Sequence, residues 1–226
     1  MEIIAIDGPG GVGKSTVARA LGESLGYYFL STGMIYRAMA WLLIENGWNP
    51  GAPLPADALQ AFSMRIDGDG GLWVNDGKVL ADLGSEEISA AASIISSDPK
   101  IRDRSNDVQR RIVRRIEEDA SFPGVILEGR DIGTVVFPDA THKFFLTASE
   151  AVRAARRFKE KQGENPGLRL EAVQAGLRER DQRDETREVA PLRAADDAIQ
   201  VDTSELSMKE VVETLLEAVL ATGSQK

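Results

Sequence analysis

Ile3-Ile4-Ala5-Ile6-Asp7-Gly8-Pro9-Gly10-Gly11-Val12-Gly13-Lys14-Ser15-Thr16 is the stretch from which the rest of the chain can be read. A short apolar run gives way to a glycine-rich turn. Val17, Leu21 and Leu25 then recur at helical spacing up to Gly26, where a helix would stop. The order is strand, loop, helix, and within it Gly8 to Ser15 fits the phosphate-loop pattern Gly-x-x-x-x-Gly-Lys-Ser. Glycines at these positions let successive backbone N–H groups turn inward on a polyphosphate, and the helix N-terminus adds partial positive charge. Lys14 would reach the outer phosphates, and the Ser15 hydroxyl is the candidate magnesium ligand. Gly8, Pro9, Gly10, Gly11, Val12, Gly13, Lys14, Ser15 and Thr16 are therefore the expected nucleotide-binding residues. No Asn-Lys-x-Asp guanine-reading element occurs, so the donor is read as ATP.

Outward from this loop, Tyr27 to Leu30 reads as a second strand and Met34 to Ile44 as a helix ending at Asn46-Gly47. Three prolines, Pro50, Pro53 and Pro55, then break regular structure. Met64 to Asp67, Leu72 to Val74 and Lys78 to Leu80, separated by Gly68 to Gly71 and Asn75-Asp76-Gly77, predict a small antiparallel insert. Helix is expected from Ser85 to Glu118 with a break at Asp98-Pro99. Val125 to Leu127, Lys143 to Leu146 and Ala198 to Val201 read as buried strands, and His142 as the residue opening the second of these. Ser207 with Glu210 forms a capping box for a last helix, and Thr222 to Lys226 reads as a frayed tail. Strands that are apolar throughout and alternate with helices imply a parallel sheet covered on both faces, with ligands beyond its carboxyl ends.

Composition sets limits. The 27 Lys and Arg against 36 Asp and Glu leave a net charge of −9, which argues against a protein devoted to gripping nucleic-acid backbone. With no cysteine and one histidine, His142, disulfides, thiolate metal sites, cysteine nucleophiles and polyhistidine metal sites are excluded. The apolar run before Asp7 is too short for a signal peptide, and nothing approaches the roughly 18 residues of a membrane span. The expectation is a cytoplasmic protein with no membrane partner.

Four further groups bear on the phosphate acceptor: Thr32 to Arg37, Arg102, Gly129-Arg130-Asp131, and Arg180, Arg183 and Arg187 interleaved with Asp181, Asp184 and Glu185. Each has an ordinary explanation on its own. Glu179 with Arg183 and Arg180 with Asp184 are i,i+4 pairs of the kind found on solvated helices, and a Gly-Arg-Asp after a strand can be a simple turn. Together they answer a physical problem. Moving a phosphoryl group onto another phosphate brings two multiply anionic groups within bonding distance, and several arginine forks in a closed site can offset that charge. A phosphate monoester is already largely ionised at neutral pH, so no general base is required.

Ile6-Asp7-Gly8-Pro9 entering the loop, Thr32-Gly33-Met34-Ile35-Tyr36-Arg37, and Glu128-Gly129-Arg130-Asp131-Ile132-Gly133-Thr134-Val135-Val136-Phe137-Pro138-Asp139-Ala140 resemble the bacterial cytidylate kinases. So does Arg180-Asp181 through Arg187 to Val189-Ala190-Pro191-Leu192, and the likeness covers nearly the whole chain with the motifs in order. The resemblance implies one α/β domain over 1–226, of the three-layer P-loop kinase fold. It would have a five-stranded parallel sheet, a nucleoside-monophosphate-binding insert in the region 35–100 and an arginine-rich lid over 155–187. It further implies Thr32, Ser93, Arg102 and Asp131 at cytosine, Asp184 at the ribose, and Arg37, Arg130 and Arg187 at the acceptor phosphate. Arg180, with Arg183 as a further candidate, would stand near the transferring group, so that Lys14, Arg130, Arg180 and Arg187 carry catalysis. Cytosine shows an amine donor beside two acceptors, which a carboxylate and an arginine complement, whereas uracil inverts two of those positions.

The expected reaction is transfer from magnesium-bound ATP to CMP and dCMP, and more weakly to UMP, by a monomer. Ser31 stands where the family often has Asp, which leaves Ser15 as the only protein ligand expected for Mg²⁺. Trp73 to Val79 reads as a packing hairpin. Two alternatives stay open on the residues alone: a P-loop kinase for another small acceptor such as AMP or shikimate, and a nucleotide-dependent regulatory protein that needs no acceptor.

Overall fold

The computed structural model describes residues 1–55, 57, 59–66, 72–163 and 165–223. Its elements alternate as the apolar periodicity demands: β1 (Glu2–Asp7), α1 (Lys14–Leu25), β2 (Tyr28–Ser31), α2 (Thr32–Glu45), β3 (Met64–Ile66), β4 (Leu72–Val74), β5 (Gly77–Lys78), α3 (Glu86–Ile95) and α4 (Pro99–Asp119), followed by β6 (Gly124–Glu128), β7 (His142–Thr147), α5 (Glu150–Lys161), α6 (Leu170–Thr186), β8 (Ile199–Asp202) and α7 (Met208–Gly223). The chain divides into two compact units, 1–30 with 121–226, and 31–120.

The first unit is built on a five-stranded parallel sheet in the order β2-β6-β1-β7-β8. Every residue of β6 is buried, as are Ile4 to Asp7 of β1, which is why these strands read as continuous apolar runs. Ile4, Ile6, Ile126, Phe144 and Leu146 from the sheet meet Val17 and Leu21 of α1 and Val211, Leu215 and Val219 of α7 in one core. Gly26, in the left-handed region at φ 68°, closes α1, and the Ser207 and Glu210 side chains cap α7 reciprocally. In the second unit α2 packs on α3 and α4, and Ile35, Met39, Leu43, Phe62, Ile95 and Val108 form its core. Ser85 caps α3, and Asp98 accepts N–H groups from Lys100 and Ile101 to start α4, so the break at Asp98-Pro99 is a cap followed by a proline at the first helical position.

Three details depart from the sequence pattern. The third strand of the insert is Gly77–Lys78 rather than Lys78 to Leu80, and Leu80 stands 88% exposed. The turn expected at Gly68 to Gly71 lies outside the described residues. After β6 the chain forms a five-residue π-helix, Ile132–Val136, in place of a full crossover helix. At the carboxyl end α7 continues through Gly223, and 224–226 lie outside the described residues. His142 opens β7 as its position suggested, and it is buried. Among the described residues no helix is long and apolar enough to cross a membrane.

Candidate active site

At two glycines the loop after β1 runs against neighbouring backbone too closely for a side chain. A Cβ on Gly8, whose φ is 146°, would stand 2.2 Å from the Leu146 carbonyl oxygen of β7; one on Gly11, at φ 78°, would stand 2.9 Å from the Arg153 carbonyl oxygen. Behind the loop Thr203 follows β8. Its hydroxyl donates to the carbonyls of Thr147 and Val12, while Arg156 of α5 donates to the Thr203 hydroxyl at 2.9 Å and carbonyl at 2.6 Å. Lys14, at the start of α1, is buried with its Nζ donating to the Pro9 carbonyl at 2.7 Å. Burial first, and then the nearby Arg130 and Arg180 guanidiniums, hold its ammonium down to about 7 against the opposing pull of Glu128 and Asp7. The loop thus gathers cationic groups where a polyphosphate would supply the opposite charge.

Around it stands a set of arginines held by two buried carboxylates. Asp184 on α6 accepts from Arg130 Nε at 3.0 Å, and Arg180 Nε and Arg187 Nη1 lie 4.0 and 3.6 Å from its oxygens. Asp131 Oδ1 is 3.6 Å from Arg187 Nη2. Arg187 also donates from Nε to the Ala190 carbonyl at 2.6 Å, and Ala190 takes the left-handed φ of 53° that few alanines adopt. Arg183, the further candidate, pairs with Glu179 one turn earlier on α6, the ordinary i,i+4 contact.

Beneath Gly129-Arg130-Asp131, Asp7 at the end of β1 accepts the backbone N–H groups of Ile132 at 2.9 Å and Gly133 at 2.8 Å. Burial pushes this carboxyl up to about 6 despite those two bonds. β1 and β6 pair in register, Ile6 against Glu128, so the phosphate loop and the Gly129-Arg130-Asp131 segment leave adjacent strand ends.

Oxygens that could hold a divalent cation stand beside the loop. The Ser15 hydroxyl donates to Glu128 Oε1 at 3.0 Å, which sets a hydroxyl and a carboxylate, both hard oxygen donors, beside the loop. Among the described residues no cluster of three or more acidic or histidine side chains could hold a metal alone. An ion at Ser15 and Glu128 would be held by one or two protein oxygens and otherwise by water and phosphate.

The remaining sequence-derived candidates lie in the second unit. Thr32 is the buried first residue of α2, Arg37 lies five residues further along the same helix, and Ser93 is buried on α3. Arg102, 1% exposed, lies in the first turn of α4, donates to the Ser96 carbonyl at 3.0 Å and sits over the Tyr36 ring, 5.8 Å from its centroid. A guanidinium so far out of water marks Arg102 as more than a surface residue of an arginine-rich helix. Trp73, on the insert hairpin, is covered by the Arg65 guanidinium at 4.2 Å.

Sequence reasoning met Asp7, Glu128 and Asp181 only inside motifs and gave them no role of their own, and it did not single out Arg153, Arg156 or Thr203. Glu128 had a usable signal, being the last residue of the strand beside β1.

Comparison with known proteins agrees with the geometry. A family model described as cytidylate kinase matches residues 4–221. A cytidylate kinase of Streptomyces avermitilis is 38% identical over 221 residues, covering 96% of this chain and 92% of the relative. One from Fervidobacterium nodosum is 40% identical over 216 residues, covering 96% and 95%. Among solved structures, a shikimate kinase from Acinetobacter baumannii in complex with shikimate superposes with a TM-score of 0.51 at 16% identity, covering 98% of this chain and 94% of that one, which shows the shared fold.

Proposed function

The chain belongs to the cytidylate kinase family, whose reaction is ATP-dependent phosphorylation of CMP, and from that premise we propose how its residues divide the work. The loop Gly8 to Thr16 binds the donor, with Lys14 at the outer phosphates. A phosphate oxygen of CMP attacks the γ-phosphorus of ATP in line; a new P–O bond forms as the bond to the β,γ-bridging oxygen breaks, and its electron pair leaves on ADP. Arg37, Arg130 and Arg187 hold the acceptor phosphate and Arg180 meets the transferring group. Positioning and charge compensation supply the catalysis.

Support for this reading comes chiefly from one observation: Arg130, Arg180 and Arg187 converge on Asp184, with Arg187 also at Asp131, beside a buried lysine whose charge is held down by burial and by Arg130 and Arg180. Magnesium belongs to the same reading. Ser15, with Glu128 behind it, would hold the ion, which when bound draws charge from the β- and γ-phosphate oxygens. Thr32, Ser93, Arg102 and Asp131 keep the role the family resemblance gives them, cytosine recognition, with dCMP accepted and UMP used less well. Asp184 is proposed at the ribose in addition to orienting the arginines. The regions 35–100 and 155–187 are read as the monophosphate-binding insert and the lid of one catalytic domain, acting as a cytoplasmic monomer.

The test is ADP formation from magnesium and ATP with CMP, dCMP, UMP, AMP, GMP and no acceptor, on the purified protein. Strong stimulation by CMP and dCMP, with UMP weaker, is expected. A larger response to AMP or GMP would discard the base assignments, and ADP formation indifferent to every acceptor would discard the acceptor site.

A further inference from the structure

Gly10 lies in the phosphate loop, yet both its backbone groups are taken by side chains from helices far along the chain. Asp181 Oδ1 on α6 accepts the Gly10 N–H at 3.2 Å, and Arg153 Nη1 on α5 donates to the Gly10 carbonyl at 3.1 Å. Asp181 and Arg153 also pair directly with each other, closing a ring of three contacts. Their side chains are only 9% and 11% exposed. A buried ion pair is a weak source of stability, because desolvation offsets most of its attraction. Nor is it needed to join α5 to α6, since Glu150 already takes hydrogen bonds from Gln174 and Arg178.

The position of the pair matters more than its energy. Asp181 follows Arg180 and lies three residues before Asp184, so anchoring it to Gly10 fixes the rotation of α6 about its axis and hence where both neighbours point. Gly10 in turn is four residues before Lys14. An unpaired carboxylate in this loop would repel a triphosphate; neutralised by Arg153, it ties helix to loop without adding net charge.

We propose that Asp181, together with Arg153, is a positioning residue for phosphoryl transfer: it docks α6 on the phosphate loop at Gly10, so that Arg180 and the Asp184 cluster meet the transferring group in register and water is kept from it. The inference rests on the reading of Arg180 as the arginine at that group. Small misplacements of such groups lower rates by one to two orders of magnitude while leaving substrate binding largely intact.

The experiment compares full-length D181N, R153Q, the double variant and R180A for CMP-dependent kcat, KM for CMP, acceptor-free ADP formation and thermal midpoint. D181N and R153Q are expected each to lower kcat roughly tenfold, with KM for CMP within about threefold of the parent. The double variant should be no worse than the poorer single, as for two halves of one contact. Acceptor-free hydrolysis should rise relative to transfer in all three. Full kcat in both singles while R180A is impaired would overturn this inference alone, whereas full activity of R180A would overturn the reading beneath it. Additive losses, or losses that track the thermal midpoint with an unchanged hydrolysis-to-transfer ratio, would reduce the pair to structural packing and overturn the proposal. If D181N fails to fold, R153Q cuts the same tie from the other side and gives the same readouts.

Discussion

Lys14 gives the sharpest quantitative expectation. In the empty loop its ammonium is held down to about 7, by burial first and then by Arg130 and Arg180 against the pull of Glu128 and Asp7. A polyphosphate supplies the missing counter-charge and returns the group to the ordinary lysine range above pH 10. Binding therefore takes up a proton wherever the empty loop is neutral. The protonated fraction of the empty loop falls from about 0.24 at pH 7.5 to about 0.01 at pH 9. Affinity for the nucleotide should fall roughly 24-fold over that range, about 1.9 kcal/mol. Calorimetric titration of ADP with a chelator present, in buffers of different ionisation enthalpy, reads both the affinity and the proton count. The terminal phosphate is largely ionised from pH 7.5 upward, and its own remaining proton loss works in the opposite direction; Lys14→Met should flatten the profile. A flat affinity with no proton uptake in the parent would refute the role given to the Lys14 charge.

Other expectations follow from the same geometry. Unfolded Lys14 keeps its proton up to about 10.5 while folded Lys14 releases it near 7, so this residue makes the empty protein gain stability as pH rises through that window, read by denaturant titration. Asp7 runs the other way: its folded pKa of about 6 lies above 3.8, so its contribution is present at low pH and is lost as pH rises through 3.8 to 6. The stability of Asp7→Asn relative to the parent should therefore improve by about 3 kcal/mol between pH 3.5 and pH 7, and an unchanged difference would contradict it. Asp184→Ala removes the carboxylate that Arg130, Arg180 and Arg187 share and should cost about 3–5 kcal/mol of unfolding free energy; on the ribose assignment it also alters the CMP to dCMP preference. Gly8→Ala forces a methyl into the Leu146 carbonyl and should lower the thermal midpoint and abolish nucleotide binding together.

Most of the fold could be read locally because it is encoded locally. The apolar run before Gly8, the spacing of Val17 and Leu21, and the Ser207 and Glu210 cap each act within a few residues, and the structure has them where expected. The same holds for the Arg180 and Asp184 pair, one helical turn apart. What could not be read depends on pairs distant in sequence. Asp7 reaches Ile132 across 125 positions, Ser15 reaches Glu128 across 113, and Gly10 reaches Asp181 across 171. Asp7 and Glu128 each close an apolar run and Asp181 follows Arg180, but residue type alone assigns none of the three its partner before the sheet order is known; burial and the strand order give them their roles. The π-helix at Ile132–Val136 escaped for a related reason: Asp7 captures its first two N–H groups, and no local spacing announces that.

The in-register pairing of β1 with β6 has an evolutionary consequence. The donor loop and the Arg130 segment are the continuations of two hydrogen-bonded strands, so their separation is inherited from the lattice of the sheet, whose spacing hardly varies among proteins. Thr32, Ser93 and Arg102 hang on a different hydrophobic core. On the base assignments proposed above, a lineage, or an engineer, can therefore retune which base is accepted by altering that second core's surface while the path of the phosphoryl group stays at its inherited length. New acceptors should be reachable by substitutions within 31–120, with Asp131 the one base-reading candidate whose change would disturb the reaction centre itself.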